Sequence, residues 1–206
     1  LRRKAMRVFQ DAIDNVILNA DATTGTANIN CKGANTSAAA TSKFLYGGGD
    51  GLRHLALVDN TTEGTSNAGA SPTLQGIRSL RYKSGGLLRA YAARRQDLVY
   101  IVDPETYGKM LNIDELLTFM VNGRSSTVND GEVPTIDGSL VIQTNELALA
   151  DSTGFALNDA TGTLGQLLIV HKPSWKFGYR RRVTTDLTFI PYNDEYVLTM
   201  TARCSF

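Results

Sequence analysis

His54 and His171 are the only imidazoles in the 206-residue chain, so histidine-based metal or acid–base chemistry would have to be built around one of them. No third candidate ligand stands at metal-binding spacing around either residue, and the sequence therefore predicts no zinc site. His171 ends a predicted strand and reads as a surface or hydrogen-bonded histidine. A hydrolase nucleophile elbow requires Gly-x-Ser-x-Gly. Gly64-Thr65-Ser66-Asn67-Ala68 lacks the last glycine and a preceding strand, and reads as loop. The run Gly47-Gly48-Gly49-Asp50-Gly51 has neither the Gly-Lys-Ser/Thr ending of a phosphate loop nor a complete GxGxxG, which leaves a flexible or tight turn. Cys31 and Cys204 lie near opposite ends without a CxxC, the pattern of reduced thiols in a cytosolic protein. These readings predict no catalytic residue, no cofactor site and no metal ligand, and hence no enzyme.

Charge is the next candidate. The formal net charge is +1, against the strong positive charge of a dedicated nucleic-acid binder. The run Arg180-Arg181-Arg182 is the exception. Consecutive strand residues point to opposite faces, so it cannot form a single bidentate clamp. Three readings stay open: an ordinary solvated strand edge, a charge-paired contact between subunits, or non-specific phosphate contact with DNA. Trp175, between Pro173 and Phe177, reads as a core residue, with an interface anchor as the alternative. No run approaches the length of about 20 apolar residues that a membrane span needs. Asn35-Thr36-Ser37 and Asn60-Thr61-Thr62 match a glycosylation pattern, read as chance in a chain without a secretory signal.

The elements that must carry these residues follow from periodicity. Met6, Phe9, Ile13 and Val16 recur at spacings of three and four and predict a helix over 3–19. Arg2, Arg3, Lys4 and Arg7 oppose the dipole at its start, so the helix is expected to begin further upstream. Residues 20–50 form a long polar connection, followed by the apolar run Leu55-Ala56-Leu57-Val58. Ser71-Pro72 marks a helix start, with Leu74, Ile77, Leu80, Leu87, Leu88 and Tyr91 on one face and a kink or break at Gly85-Gly86. The nearly continuous apolar run 98–102 predicts a central buried strand. Asp103-Pro104 caps the next helix, and Asp137-Gly138 is a turn feeding a strand at Leu140-Val141-Ile142. Four strand-like runs close the chain: 166–171, 174–180, 183–190 and 195–204. The fold class is α+β.

Several of these segments, in order, resemble the major capsid proteins of tailed bacteriophages, which share the Hong Kong 97-type capsid fold. They are the helix from Phe9 to Asp21 with its following loop and the Gly51-Leu52 step, and the strand from Asp97 to Asp103 with Pro104-Glu105-Thr106-Tyr107. They continue with the stretch from Gly131 through Ile136-Asp137-Gly138 and Val141-Ile142 to Asn145-Glu146-Leu147. The last is Lys176-Phe177-Gly178-Tyr179-Arg180, with Pro191 and a final strand ending at Arg203. The resemblance covers essentially the whole chain. The family's N-terminal arm and extended loop would precede Leu1, and many members continue past Arg203, so the chain is expected to be a core of the family's subunit.

The resemblance implies an α+β Hong Kong 97-type fold. Residues 1–51 would be the end of a spine helix and a connection in a peripheral lobe, 52–165 an axial lobe, and 166–206 late strands returning to the peripheral lobe, with helix 3–19 lying across them. It further implies a structural subunit of a phage or prophage icosahedral capsid, with no cofactor and no membrane. Implied partners are copies of itself, packaged double-stranded DNA by non-specific contact, and scaffolding or decoration proteins; the implied location is the virion, assembled in the bacterial host cytoplasm. Loop 122–133 would lie near a capsomer centre, with Asn122, Arg124, Asn129 and Asp130 as contacts. Arg180, Arg181 and Arg182 would face a neighbour or DNA. Without arm and extended loop, this chain alone is expected to be a monomer or small oligomer. An encapsulin-like nanocompartment shell keeps the fold and changes the role; a small α+β binding domain or enzyme is a further alternative.

Overall fold

The computed structural model describes residues 2–23, 28–30, 49–63, 70–114, 135–147, 149–151, 153–155 and 163–205. Helix α1 runs Arg2–Asn19. A short helix α2, Leu52–His54, continues into a π turn, Leu55–Asp59. Helix α3 is Leu74–Arg81, strand β1 Leu98–Val102 and helix α4 Pro104–Met110. Strands β2 (Thr135–Ile136), β3 (Ser139–Gln143), β4 (Leu167–His171), β5 (Gly178–Ile190) and β6 (Glu195–Ser205) complete the order. The chain is thus α+β, as its periodicity predicts.

A four-stranded mixed sheet, in the order β2-β3-β1-β4, organises the core. The two apolar runs predicted as strands are neighbours, β1 pairing parallel to β3 with Tyr100 opposite Val141. β4 pairs antiparallel to β1, Tyr100 opposite Ile169. Strand alternation then sorts the side chains into two faces. Tyr100 and Val102, with Val141, Leu167 and Ile169, meet Leu74 and Ile77 of α3, Met110 of α4 and Ile113. On the opposite face Ile101, Leu168 and Val170 meet Ile17 and Leu18 of α1, Leu52 of α2 and Leu147. Each fully buried aliphatic side chain contributes about 1.5–3 kcal/mol, so this two-faced sheet is where the described core's stability lies.

Local chemistry explains the element ends. Asp103 caps α4 as expected, its Oδ2 accepting from the backbone N–H groups of Glu105 (2.9 Å) and Thr106 (3.1 Å). Oδ1 accepts from the Gln166 backbone at 2.6 Å, which ties the cap to the approach of β4. Asp137 and Gly138 both take positive φ, 49° and 78°, and make the two-residue turn between β2 and β3. Gly51 is a close approach: a Cβ there would stand 2.7 Å from the Ala20 nitrogen.

Several expectations are corrected. The cap of α3 is Thr73, whose side chain accepts from Gly76 N–H, rather than Ser71. That helix stops at Arg81, and the 3-10 turn Leu87–Tyr91 follows Gly85, which sits at φ 80°. The run 166–171 does not return with the later strands: as β4 it lies beside β1 in the central sheet. The runs 174–180 and 183–190 are not two strands, because β5 passes through Arg180-Arg181-Arg182 with register shifts there instead of a turn. The buried end of α1 packs on the central sheet and α2. Cys31, most of the 20–50 connection, the Gly64–Ala68 stretch and loop 122–133 lie outside the described residues.

Candidate functional site

Strands β5 and β6 form a two-stranded antiparallel sheet of their own. Their pairing defines its faces, because residues directly opposite share a side. Thr185, Leu187 and Phe189 stand opposite Met200, Leu198 and Tyr196. Thr184, Asp186, Thr188 and Ile190 stand opposite Thr201, Thr199, Val197 and Glu195. The ribbon is therefore amphipathic, with an apolar face and a threonine-rich polar one. Its apolar face is uncovered: Leu187 is 58% exposed, Phe189 43% and Tyr196 70%. The Phe189 and Tyr196 rings lie 4.9 Å apart across the strands. At the ribbon's base Phe177 and Tyr179 make an edge-on pair, and Trp175 is also exposed, which corrects its reading as a core residue.

An isolated two-stranded ribbon is marginal in water, and contiguous exposed apolar surface of this kind marks an interaction site. Its chemistry fits contact with another polypeptide. The face combines aromatic and aliphatic side chains with backbone edges, and among its paired residues there is no carboxylate, histidine, cysteine or lysine.

The arginine run lies on this ribbon. Arg180, Arg181 and Arg182 are all exposed, and none makes an ion pair among the described residues. Arg181 stands opposite Arg203 and donates to Thr184 Oγ1 at 3.2 Å. Two guanidinium groups facing across strands repel unless an anion or carboxylate from elsewhere joins them. Asn122, Arg124, Asn129 and Asp130 lie outside the described residues.

Sequence reading missed a buried polar hub beneath α1. Arg53 on α2 is 1% exposed. Its Nη1 donates to Asn19 Oδ1 (2.8 Å) and Asn30 Oδ1 (3.0 Å), Nε to Gln166 Oε1 (2.9 Å), and Nη2 to the Gly154 carbonyl (2.9 Å). These acceptors are neutral. Burial lowers the guanidinium pKa to about 10, with the charge of Asp21 pulling the other way. Asn19 in turn donates to the Glu146 carbonyl at 2.6 Å, so the hub binds α1, α2 and the segments after β3 and before β4 to one another. The available signal was the short polar residues Asn19, Asp21, Asn28 and Asn30 that follow α1. His171 is buried, stacked 3.9 Å from the Tyr91 ring, with Nδ1 2.6 Å from Ser174 Oγ. It is the hydrogen-bonded histidine that one reading allowed.

No family model matches the chain, and no curated protein does. Among solved structures, a chain in the asymmetric unit of the bacteriophage PhiM1 mature capsid is similar, at 13% sequence identity and a TM-score of 0.44. The match covers 98% of this chain and 57% of that one, so this chain spans under two thirds of its length.

Proposed function

We propose that the chain is a structural subunit of a bacteriophage or prophage icosahedral capsid, with the Hong Kong 97-type fold, that packs against copies of itself in the shell around the genome. The observation that carries this reading is the amphipathic β5–β6 ribbon, whose apolar face finds no cover within the described chain. Closed shells repeat one subunit through a few contact types, and a projecting ribbon can meet a neighbour in each of them. The order of sequence segments that resembles tailed-phage capsid proteins supports the same reading. Among the described residues no helix is long and apolar enough to cross a membrane.

Within this reading the central sheet with α3 and α4 belongs to the axial lobe. Loop 122–133 lies near the capsomer centre, where Arg124 and Asp130 of neighbouring copies pair. Charge reversal checks that contact: Arg124→Asp impairs capsomer assembly and added Asp130→Arg restores it, while normal assembly of the single variant removes the contact. Arg180, Arg181 and Arg182 meet a neighbour's carboxylates or the phosphates of packaged DNA.

The test of the ribbon is sedimentation velocity of the chain and of a Leu187→Asp/Phe189→Asp variant. The chain should self-associate in a concentration-dependent way, whereas the variant should stay monomeric with an unchanged circular-dichroism spectrum. Equal association by both would refute the ribbon as the contact. Electron microscopy of particles containing this chain, with their contents identified, separates a DNA-filled head from a protein-filled nanocompartment.

A further inference from the structure

His54 is 5% exposed, and its Nδ1 is buried without a hydrogen-bond partner. That nitrogen faces two carboxylates, Asp59 Oδ2 at 3.8 Å and Asp50 Oδ2 at 3.9 Å. The other ring nitrogen, Nε2, faces Asp21 Oδ1 at 3.5 Å and Thr23 Oγ1 at 3.4 Å. Asp21 is itself fixed: its Oδ1 accepts from the Thr23 backbone and its Oδ2 from the Ile29 backbone, both at 2.7 Å. One ligand-type atom from each of Asp21, Asp50 and His54 lies within 4.8 Å of the others.

This arrangement offers a cation a place, an unpartnered buried nitrogen with two carboxylates on the same side. With the ring proton on Nε2, directed at Asp21, the Nδ1 lone pair points at two negative oxygens from inside the protein. That contact is repulsive unless positive charge stands between them. A proton on Nδ1 would supply that charge by drawing one carboxylate to about 2.7–2.9 Å. A metal ion has a different spacing. Bonds of about 2.0–2.2 Å to nitrogen and oxygen put tetrahedral ligand atoms about 3.4 Å apart. Asp50 and Asp59, whose side chains are 38% and 49% exposed, would have to rotate toward each other and toward Nδ1 to reach that spacing, since Asp59 is not in the set that lies within 4.8 Å. A buried carboxylate behind the ligating imidazole, fixing its tautomer, is the usual supporting partner of a metal-bound histidine.

We propose that His54 Nδ1, Asp50 and Asp59 bind a divalent transition-metal ion of the zinc class, with Asp21 orienting the imidazole and water completing the shell. One nitrogen with carboxylate oxygens suits zinc or manganese better than calcium or magnesium, which favour all-oxygen shells. The ion would clamp the connection at Asp50 to the π turn that ends at Asp59, beside the hub under α1. The sequence carries part of the signal, since Asp50 and His54 are four residues apart. Asp59 and Asp21 arrive only through the fold.

The test uses the complete 206-residue chain and zinc sulfate as the probe. Calorimetric titration at pH 7.5 should show a site that saturates at one ion per chain. Zinc a hundredfold above its Kd should raise the Tm by roughly 5–10 °C, and EDTA should reverse this. Asp50→Asn and Asp59→Asn alter exposed side chains and should fold normally, yet each should weaken binding at least tenfold; His54→Gln should abolish it. The proposal is overturned if zinc leaves the Tm unchanged, or if both Asn variants bind zinc as the parent does.

Discussion

Replacing Arg53 by methionine removes the centre of the polar hub while keeping most of the side chain's volume. Four acceptors then lose a donor: Asn19, Asn30, Gln166 and the Gly154 carbonyl. A buried polar atom left unpaired costs about 1–3 kcal/mol. Gln166 and Gly154 are half-buried and can regain water, whereas Asn19 and Asn30 are buried and stranded. The gross cost is therefore about 2–6 kcal/mol. Against it stands relief from burying a cation, which the depressed pKa of Arg53 signals. The net expectation is destabilisation of about 2–4 kcal/mol, a large share of a typical total of about 5–15 kcal/mol. With a urea m-value near 2 kcal/mol/M, the unfolding midpoint should fall by about 1–2 M. Arg53→Lys keeps the charge but cannot reach acceptors in three directions, and should fall between the parent and Arg53→Met.

The pH dependence checks the cause. Arg53 has a folded pKa of about 10, lowered by burial from its ordinary value, so the unfolded chain binds more protons only between the two. Any gain in stability from this group would come there, as pH rises. From pH 6 to 8.5 the guanidinium is charged in both states, so the Arg53→Met difference should be constant. A midpoint within 0.25 M of the parent, about 0.5 kcal/mol, would refute the hub as a major support.

Asp103→Ala removes both the α4 cap and the bond to Gln166 N–H, and should cost about 2–4 kcal/mol by urea unfolding; Asp103→Asn should recover part of it. Asp137 is held below the ordinary carboxylate range by its hydrogen bonds to Arg78, at 2.7 and 2.8 Å, with burial opposing. Its contribution is complete above the unfolded value of 3.8 and is lost as pH falls through the lower folded value. Asp137→Asn should therefore cost up to about 1 kcal/mol at pH 7 and progressively less as pH falls below 3.8, read from paired unfolding curves.

What could be read from sequence is what local pattern decides. The run Leu98-Val99-Tyr100-Ile101-Val102 is apolar at every position, and both faces of β1 are covered by helices, so burial and pattern agree. The Asp103 cap and the Asp137-Gly138 turn are likewise set by neighbours in the chain, and they stand where the sequence puts them. The place of β4 was less accessible. Nothing within 166–171 says whether its partner is β1 or β5, because pairing depends on residues some seventy positions away. The three arginines look like punctuation between two runs, yet a bulged strand carries them without a turn. The capsomer contacts at Asn122, Arg124, Asn129 and Asp130 remain expectations from resemblance.

The residues that local pattern misreads fall into two groups, and the two have opposite physical signs. Asn19, Asn30, Arg53 and His54 are polar and buried; Trp175, Leu187, Phe189 and Tyr196 are apolar and exposed. Each group violates the rule that sorts residues by polarity, and each violation is tolerable only with a partner. The buried group finds its partners within the chain, as the Arg53 hub shows, except at His54 Nδ1. Of the exposed group, Leu187, Phe189 and Tyr196 share one face of β5 and β6, with the Phe189 and Tyr196 rings 4.9 Å apart, while Ile190 and Val197 stand on the other. Scattered exposed hydrophobics need no explanation, but a face ordered by strand register does. Leu187, Phe189, Leu198 and Tyr196 keep that order over paired strands. Under the proposed reading a copy of the chain would supply such a cover, and the ribbon, more than any pocket, is what that proposal rests on.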